Sequence, residues 1–113
     1  MEQRSAVLDG VFLALADPTR RAVINRLGSG PASVGELARD ATMTLPSFMK
    51  HVRTLESRGL IRTAKSGRVR TCELNRERLA VVDDWLAEQR RLWDRRTDRL
   101  EQFVTDSQKE HPA

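Results

Sequence analysis

Tyrosine is absent from the 113-residue chain, and aromatic residues make up only 4% of it. Stacking the bases of a single strand needs several exposed rings, so that class of function is disfavoured. Cysteine occurs once, at Cys72, which excludes an intrachain disulfide. No apolar run approaches the roughly 20 residues of a membrane span. The opening MEQRSAVLDGVF contains acids and only a short apolar stretch, unlike a secretory leader. A cytoplasmic location with no membrane partner is therefore expected. Glycine-rich phosphate loops, a nucleophile elbow and a His/Cys pair are also missing. Gly28, Gly30 and Gly35 lie close together but follow a helical pattern, not the strand that a dinucleotide fingerprint requires. The expectation is that the chain is not an enzyme and carries no cofactor.

What is present is a compact, basic chain. Hydrophobic residues make up 39% and charged residues 32%, which suits a globular domain. The formal charge is +4 and the pI is near 10.2, a balance that suits a polyanionic partner. The length fits one domain, expected over residues 1–105, with a tail over 106–113 that frays. A domain this small buries only about two-thirds of its unfolded surface, so a second subunit would help stabilise it.

Periodicity predicts helices interrupted by one hairpin. Val7, Leu8, Val11, Phe12 and Leu15 recur at helical spacing over Glu2 to Ala16. Asp17-Pro18 restarts the chain with a good N-cap and a proline at the first helical position. That second helix ends at Gly28-Ser29-Gly30-Pro31. Ser33-Val34-Gly35-Glu36 reads as a capping box opening a short third helix. Thr44 caps a fourth, Leu45 to Arg58, whose inner face carries Phe48, Val52 and Leu55, with Gly59 as its C-cap. Leu60–Ala64 and Val69–Leu74 read as strands joined through Lys65-Ser66-Gly67-Arg68. Asn75 caps a long last helix, about Arg76 to Val104. The fold class is mainly α with one β-hairpin, in the order α-α-α-α-β-β-α: a winged helix-turn-helix.

That arrangement has a physical logic on duplex DNA. The major groove admits one α-helix, and the preceding helix braces it. On the fourth helix Lys50 and Arg53 lie opposite the apolar face, Ser47 flanks them, and Thr44 and Leu45 stand at the tip. These five are the candidates for the major groove. His51, between the two faces, is either a phosphate contact or a partly buried edge residue. The hairpin holds Arg62, Lys65, Arg68 and Arg70 within nine residues that contain no acid. Together they are the candidate wing.

These residues resemble those of the ArsR-type winged-helix repressors. The resemblance rests on ALADPTRRAVINRL (14–27), VGELA (34–38), TLPSFMKHVRTLESRGLI (44–61) and TCELNRERL (71–79). It implies a homodimer on a two-fold operator, repressing transcription, with the first and last helices building the dimer interface. Leu45 and Met49 depart from the family, where many members carry glutamine and serine. The metal ligands of the family's metal sensors are also missing. A Cys-x-Cys would fall at Ala38-Arg39-Asp40, and the last helix has Asp83, Asp84 and Glu88 but no histidine, so no metal site is expected. His111 has no partner in the tail.

Cys72, on an inward strand position, reads as a small buried hydrophobe, the alternative being a redox sensor. On the last helix Leu79, Leu86, Trp93 and Leu100 recur every seven residues, interrupted at Gln89 and Arg96. About 29 residues of helix span roughly 43 Å, beyond a domain of this size. Val7, Leu8, Val11, Phe12, Leu86, Trp93 and Leu100 are therefore the candidate dimer interface. Two alternatives stay open. One is a winged helix that docks proteins without DNA. The other is a repressor with an apolar effector, of unknown identity, near Trp85, Trp93 and Phe12.

Overall fold

The computed structural model describes the backbone of residues 2–110 and the side chains of residues 5–106. The last part of the expected tail, His111 included, lies outside the described residues. The elements are α1 (Glu2–Leu15), α2 (Pro18–Leu27), β1 (Ala32–Ser33), α3 (Val34–Ala38), α4 (Leu45–Ser57), β2 (Ile61–Ser66), β3 (Val69–Leu74) and α5 (Arg76–Glu110). By internal contacts the chain divides into two compact units, Met1–Val81 and Val82–Ala113.

The first unit is mostly helical with a small sheet, as its periodicity predicts. Val11 and Ala14 of α1, Val23 and Leu27 of α2, and Phe48, Val52 and Leu55 of α4 are buried in its core. Leu60, Ile61 and Cys72 close that core from the sheet. The sheet corrects the single hairpin: it has three antiparallel strands in the order β1-β3-β2. Ala32 pairs with Cys72 and Ser33 with Thr71. Two residues make too short a strand to show a period of two. The hairpin turn is also tighter than expected. Ser66 pairs with Val69, leaving Gly67-Arg68 as a two-residue loop. Gly67 has φ +61 and Arg68 does not have positive φ, the pattern of a type II′ turn with glycine first.

The helix caps follow from side chains that satisfy orphan backbone groups. Asp17 accepts from the Arg20 amide at 3.1 Å, Ser33 from Glu36 at 3.1 Å, and Thr44 from Ser47 at 3.3 Å. Only half of the expected capping box forms, because the Glu36 carboxylate lies 3.5 Å from Arg26 instead of reaching back. At the end of α4 the Gly59 amide bonds Glu56 O and the Leu60 amide bonds Leu55 O, a Schellman motif with Gly59 at φ +80. Asn75 also departs from expectation. Its side-chain amide donates to Gly59 O at 2.8 Å, so it ties the sheet to the end of α4 instead of capping α5.

Helix α5 runs past the expected end at Val104 to Glu110. In the second unit Trp93, Leu100 and Phe103 are exposed by 54%, 64% and 69%. In the first unit Val11 is fully buried, which removes it from the candidate dimer surface, while Val7 and Leu8 are half-buried. Leu13, absent from the expected stripe, is exposed by 61%. Val11 leaves the expected outward stripe because α1 packs its Val11–Ala14 edge, not its Leu13 edge, against the core.

Candidate nucleic-acid interface

The start of α4 is where the sequence-derived candidates gather. Leu45, Ser47, Lys50 and Arg53 are exposed, and so is the cap residue Thr44. The Thr44 hydroxyl donates to Ser47 Oγ at 3.1 Å, which leaves the Ser47 proton available to an outside acceptor. Among the described residues, the side chains of Lys50 and Arg53 take part in no ion pair or hydrogen bond. The positive end of the helix adds to a surface suited to phosphate oxygens. Met49 is half-buried beside Arg53.

His51 resolves toward its partly buried alternative. Its Nδ1 lies 3.1 Å from Nη1 of Arg20 and 3.6 Å from the Asp17 carboxylate. A guanidinium only donates, so Nδ1 is the acceptor. Arg20 also donates to Ala14 O at 2.6 Å and Leu13 O at 3.0 Å, and Arg21 to Leu15 O at 2.8 Å. The run DPTRR therefore caps the end of α1 with its arginines and the start of α2 with its aspartate. Through His51 it also fixes α4. Burial raises the Asp17 pKa. The Arg20 amide bond and the charge of Arg20 outweigh that, so the carboxyl sits below its ordinary 3.8.

The hairpin does not present its four candidate cations together. Paired residues share a face, and the register pairs Thr63 with Cys72 and Lys65 with Arg70 on one face. Arg62 lies on the other, opposite Glu73, and its guanidinium is 3.4 Å from Asn75 Oδ1. Arg70 is half-buried and donates to Thr63 Oγ1 at 2.7 Å. Lys65 and the turn residue Arg68 are exposed, with no ion pair among the described residues. The acid-free run of nine residues conceals this split, because Glu73 stands outside it in sequence and across from Arg62 in space.

Cys72 is fully buried in the middle of β3. Burial and then the Glu56 carboxylate push its thiol up, with Arg70 opposing. A thiol held protonated is a poor redox sensor.

Comparison with known proteins matches this geometry. Residues 15–64 fit the family described as "Helix-turn-helix domain". The HTH-type transcriptional regulator Rv2034 of Mycobacterium tuberculosis is 39% identical over 74 residues, 66% of this chain and 69% of that protein. The transcriptional repressor SdpR of Bacillus subtilis is 28% identical over 70% of this chain and 88% of its own length. Among solved structures, an ArsR family transcriptional regulator is 58% identical with a TM-score of 0.78, covering 80% of this chain and 93% of that one. An ArsR-like transcriptional regulator from Rhodococcus sp. RHA1 is 29% identical with a TM-score of 0.75, covering 88% and 93%. A winged helix-turn-helix with these relatives makes the chain a DNA-binding transcriptional regulator, and it belongs to the ArsR family.

Proposed function

We propose that the chain represses transcription as a homodimer, laying α4 in the major groove of each half of a two-fold operator. The observation that carries this reading is the set of free cations on one unit: Lys50 and Arg53 on α4, Lys65 and Arg68 on the hairpin. What sets these four apart is their place on the two elements that would meet one duplex, and Thr44, Leu45 and Ser47 sit beside Lys50 and Arg53 to meet base edges and thymine methyls. Occupancy of the operator is the output, with no catalytic step. No described helix is long and apolar enough to cross a membrane, and the proposal places the regulator in the cytoplasm with the duplex it binds.

Dimerisation is supported by exposed apolar residues at two places described separately: Phe12 and Leu13 on α1, and Trp93, Leu100 and Phe103 on α5. DNA binding without a metal is part of the proposal. Among the described residues no three His, Cys, Asp or Glu side chains are grouped, His51 is engaged by Arg20, and Cys72 is enclosed. The deciding experiment is titration of the chain against its own upstream region and a scrambled duplex, with sedimentation of the free protein. A dimer that prefers the upstream duplex supports the reading. A monomer with no preference for either duplex overturns it.

A further inference from the structure

One group of side chains between α4 and the hairpin has no assigned role. Thr63 Oγ1 donates to the Glu56 carboxylate and accepts from Nη1 of Arg70. Glu56 lies on the last turns of α4, Thr63 on β2 and Arg70 on β3, so three elements meet in one chain of bonds. The hydroxyl has a single proton, and each neighbour can take only one part: the carboxylate accepts and the guanidinium donates. Both bonds are charge-assisted, and each polarises the other. A cavity of about 240 Å³ beside them is lined by Met49, Val52, Arg53, Glu56 and Arg70. Glu56 borders this open groove from α4 and Arg70 borders it from β3.

We propose that Glu56, Thr63 and Arg70 are positioning residues that set the hairpin against α4, and that Arg70 is a strut instead of a phosphate contact. The proposal rests on the reading that α4 and the hairpin meet one duplex. DNA then requires Arg68 and Lys65 to stand at a set distance from Lys50 and Arg53. Arg70 supplies that distance by turning its guanidinium inward to Thr63.

The test is the affinity of full-length variants for a mixed-sequence duplex across a salt series. Arg70→Ala should bind about fivefold more weakly, the worth of a typical lost hydrogen bond, with the salt slope unchanged. Thr63→Val should lose the same amount, the double variant no more than either single one, and Thr63→Ser should restore binding. Arg68→Ala is the control for the underlying reading, and should make the slope shallower by about one. A slope shallower by about one in Arg70→Ala overturns the strut, as does full affinity in Thr63→Val or additive losses in the double variant. A silent Arg68→Ala overturns the wing reading instead. Circular dichroism of Thr63→Ser and Thr63→Val separates a loosened hairpin from an unfolded chain.

Discussion

Helix α4 carries two cations and the hairpin four, and the two regions hold them differently. On α4 the charges and the core-forming residues occupy opposite faces, so Lys50 and Arg53 stand clear while Phe48, Val52 and Leu55 are buried. On the hairpin the two faces are each shared. Arg62 lies against Asn75 and Arg70 against Thr63, and only Lys65 and Arg68 are unengaged among the described residues. A thirteen-residue helix has enough circumference to separate packing from binding. A hairpin of two six-residue strands has no interior of its own, and uses some of its charges to fasten itself.

The largest effect should come from crossing the two faces of α4. Phe48 is 1% exposed, and Phe48→Ala should cost about 3–5 kcal/mol, much of the stability of a small domain. Lys50→Ala, on the exposed face two residues on, should change stability by less than about 0.5 kcal/mol. Urea unfolding of both variants measures this directly. Similar losses would show that the helix does not divide its faces as described.

Next in size is the division of labour on DNA. Replacing Ser47 or Lys50 by alanine should reduce the preference for operator over scrambled duplex by about 1–3 kcal/mol where a base contact is lost. If no α4 variant alters that preference, the helix is not the reader, and a protein-docking winged helix becomes the better account. Within the hairpin, Arg68→Ala should weaken specific and non-specific binding alike and make the salt slope shallower by about one. Arg62→Ala should leave the slope unchanged, because its guanidinium lies beside Asn75 and opposite Glu73. An equal drop for both arginines would restore the four-cation wing and erase the difference between the two regions.

The same contrast explains what was legible in the sequence. The helices were, because Phe48, Val52 and Leu55 repeat at helical spacing, and because Asp17, Ser33 and Thr44 are caps whose bonds reach only three residues. Long-range choices were not. Glu36 could reach back to Ser33 or across to Arg26, and only the packing of α2 beside α3 decides for Arg26. Asn75 could cap α5 or bond Gly59, and the close approach of the α4 terminus decides for Gly59. Strand β1 has two residues and exists because β3 offers an edge at Thr71 and Cys72. The candidate site was legible on α4, where exposure follows from periodicity. It was less legible on the hairpin, where availability depends on cross-strand partners such as Glu73.

The smallest effect concerns how α4 is anchored at its middle, through His51. There Asp17 caps α2 and lies near His51, while Arg20 joins both to the end of α1. Asparagine caps as well as aspartate, so Asp17→Asn keeps the bond to the Arg20 amide and removes only the charge. The Asp17 carboxyl is held below its ordinary value in the folded chain, so the folded state favours the ionised form. Its contribution to stability is complete above the unfolded value of 3.8 and is lost as the pH falls through the lower folded value. At neutral pH Asp17→Asn should therefore be slightly less stable than the parent, and the gap should close on acidification. The carboxyl is partly exposed, so solvent keeps this effect small. Urea midpoints for the two proteins, followed from neutral pH to below that of the folded carboxyl, should converge. Midpoints that stay parallel throughout would mean that the Asp17 charge adds nothing beyond the cap, and that α4 is held to this cluster by the Arg20–His51 bond alone.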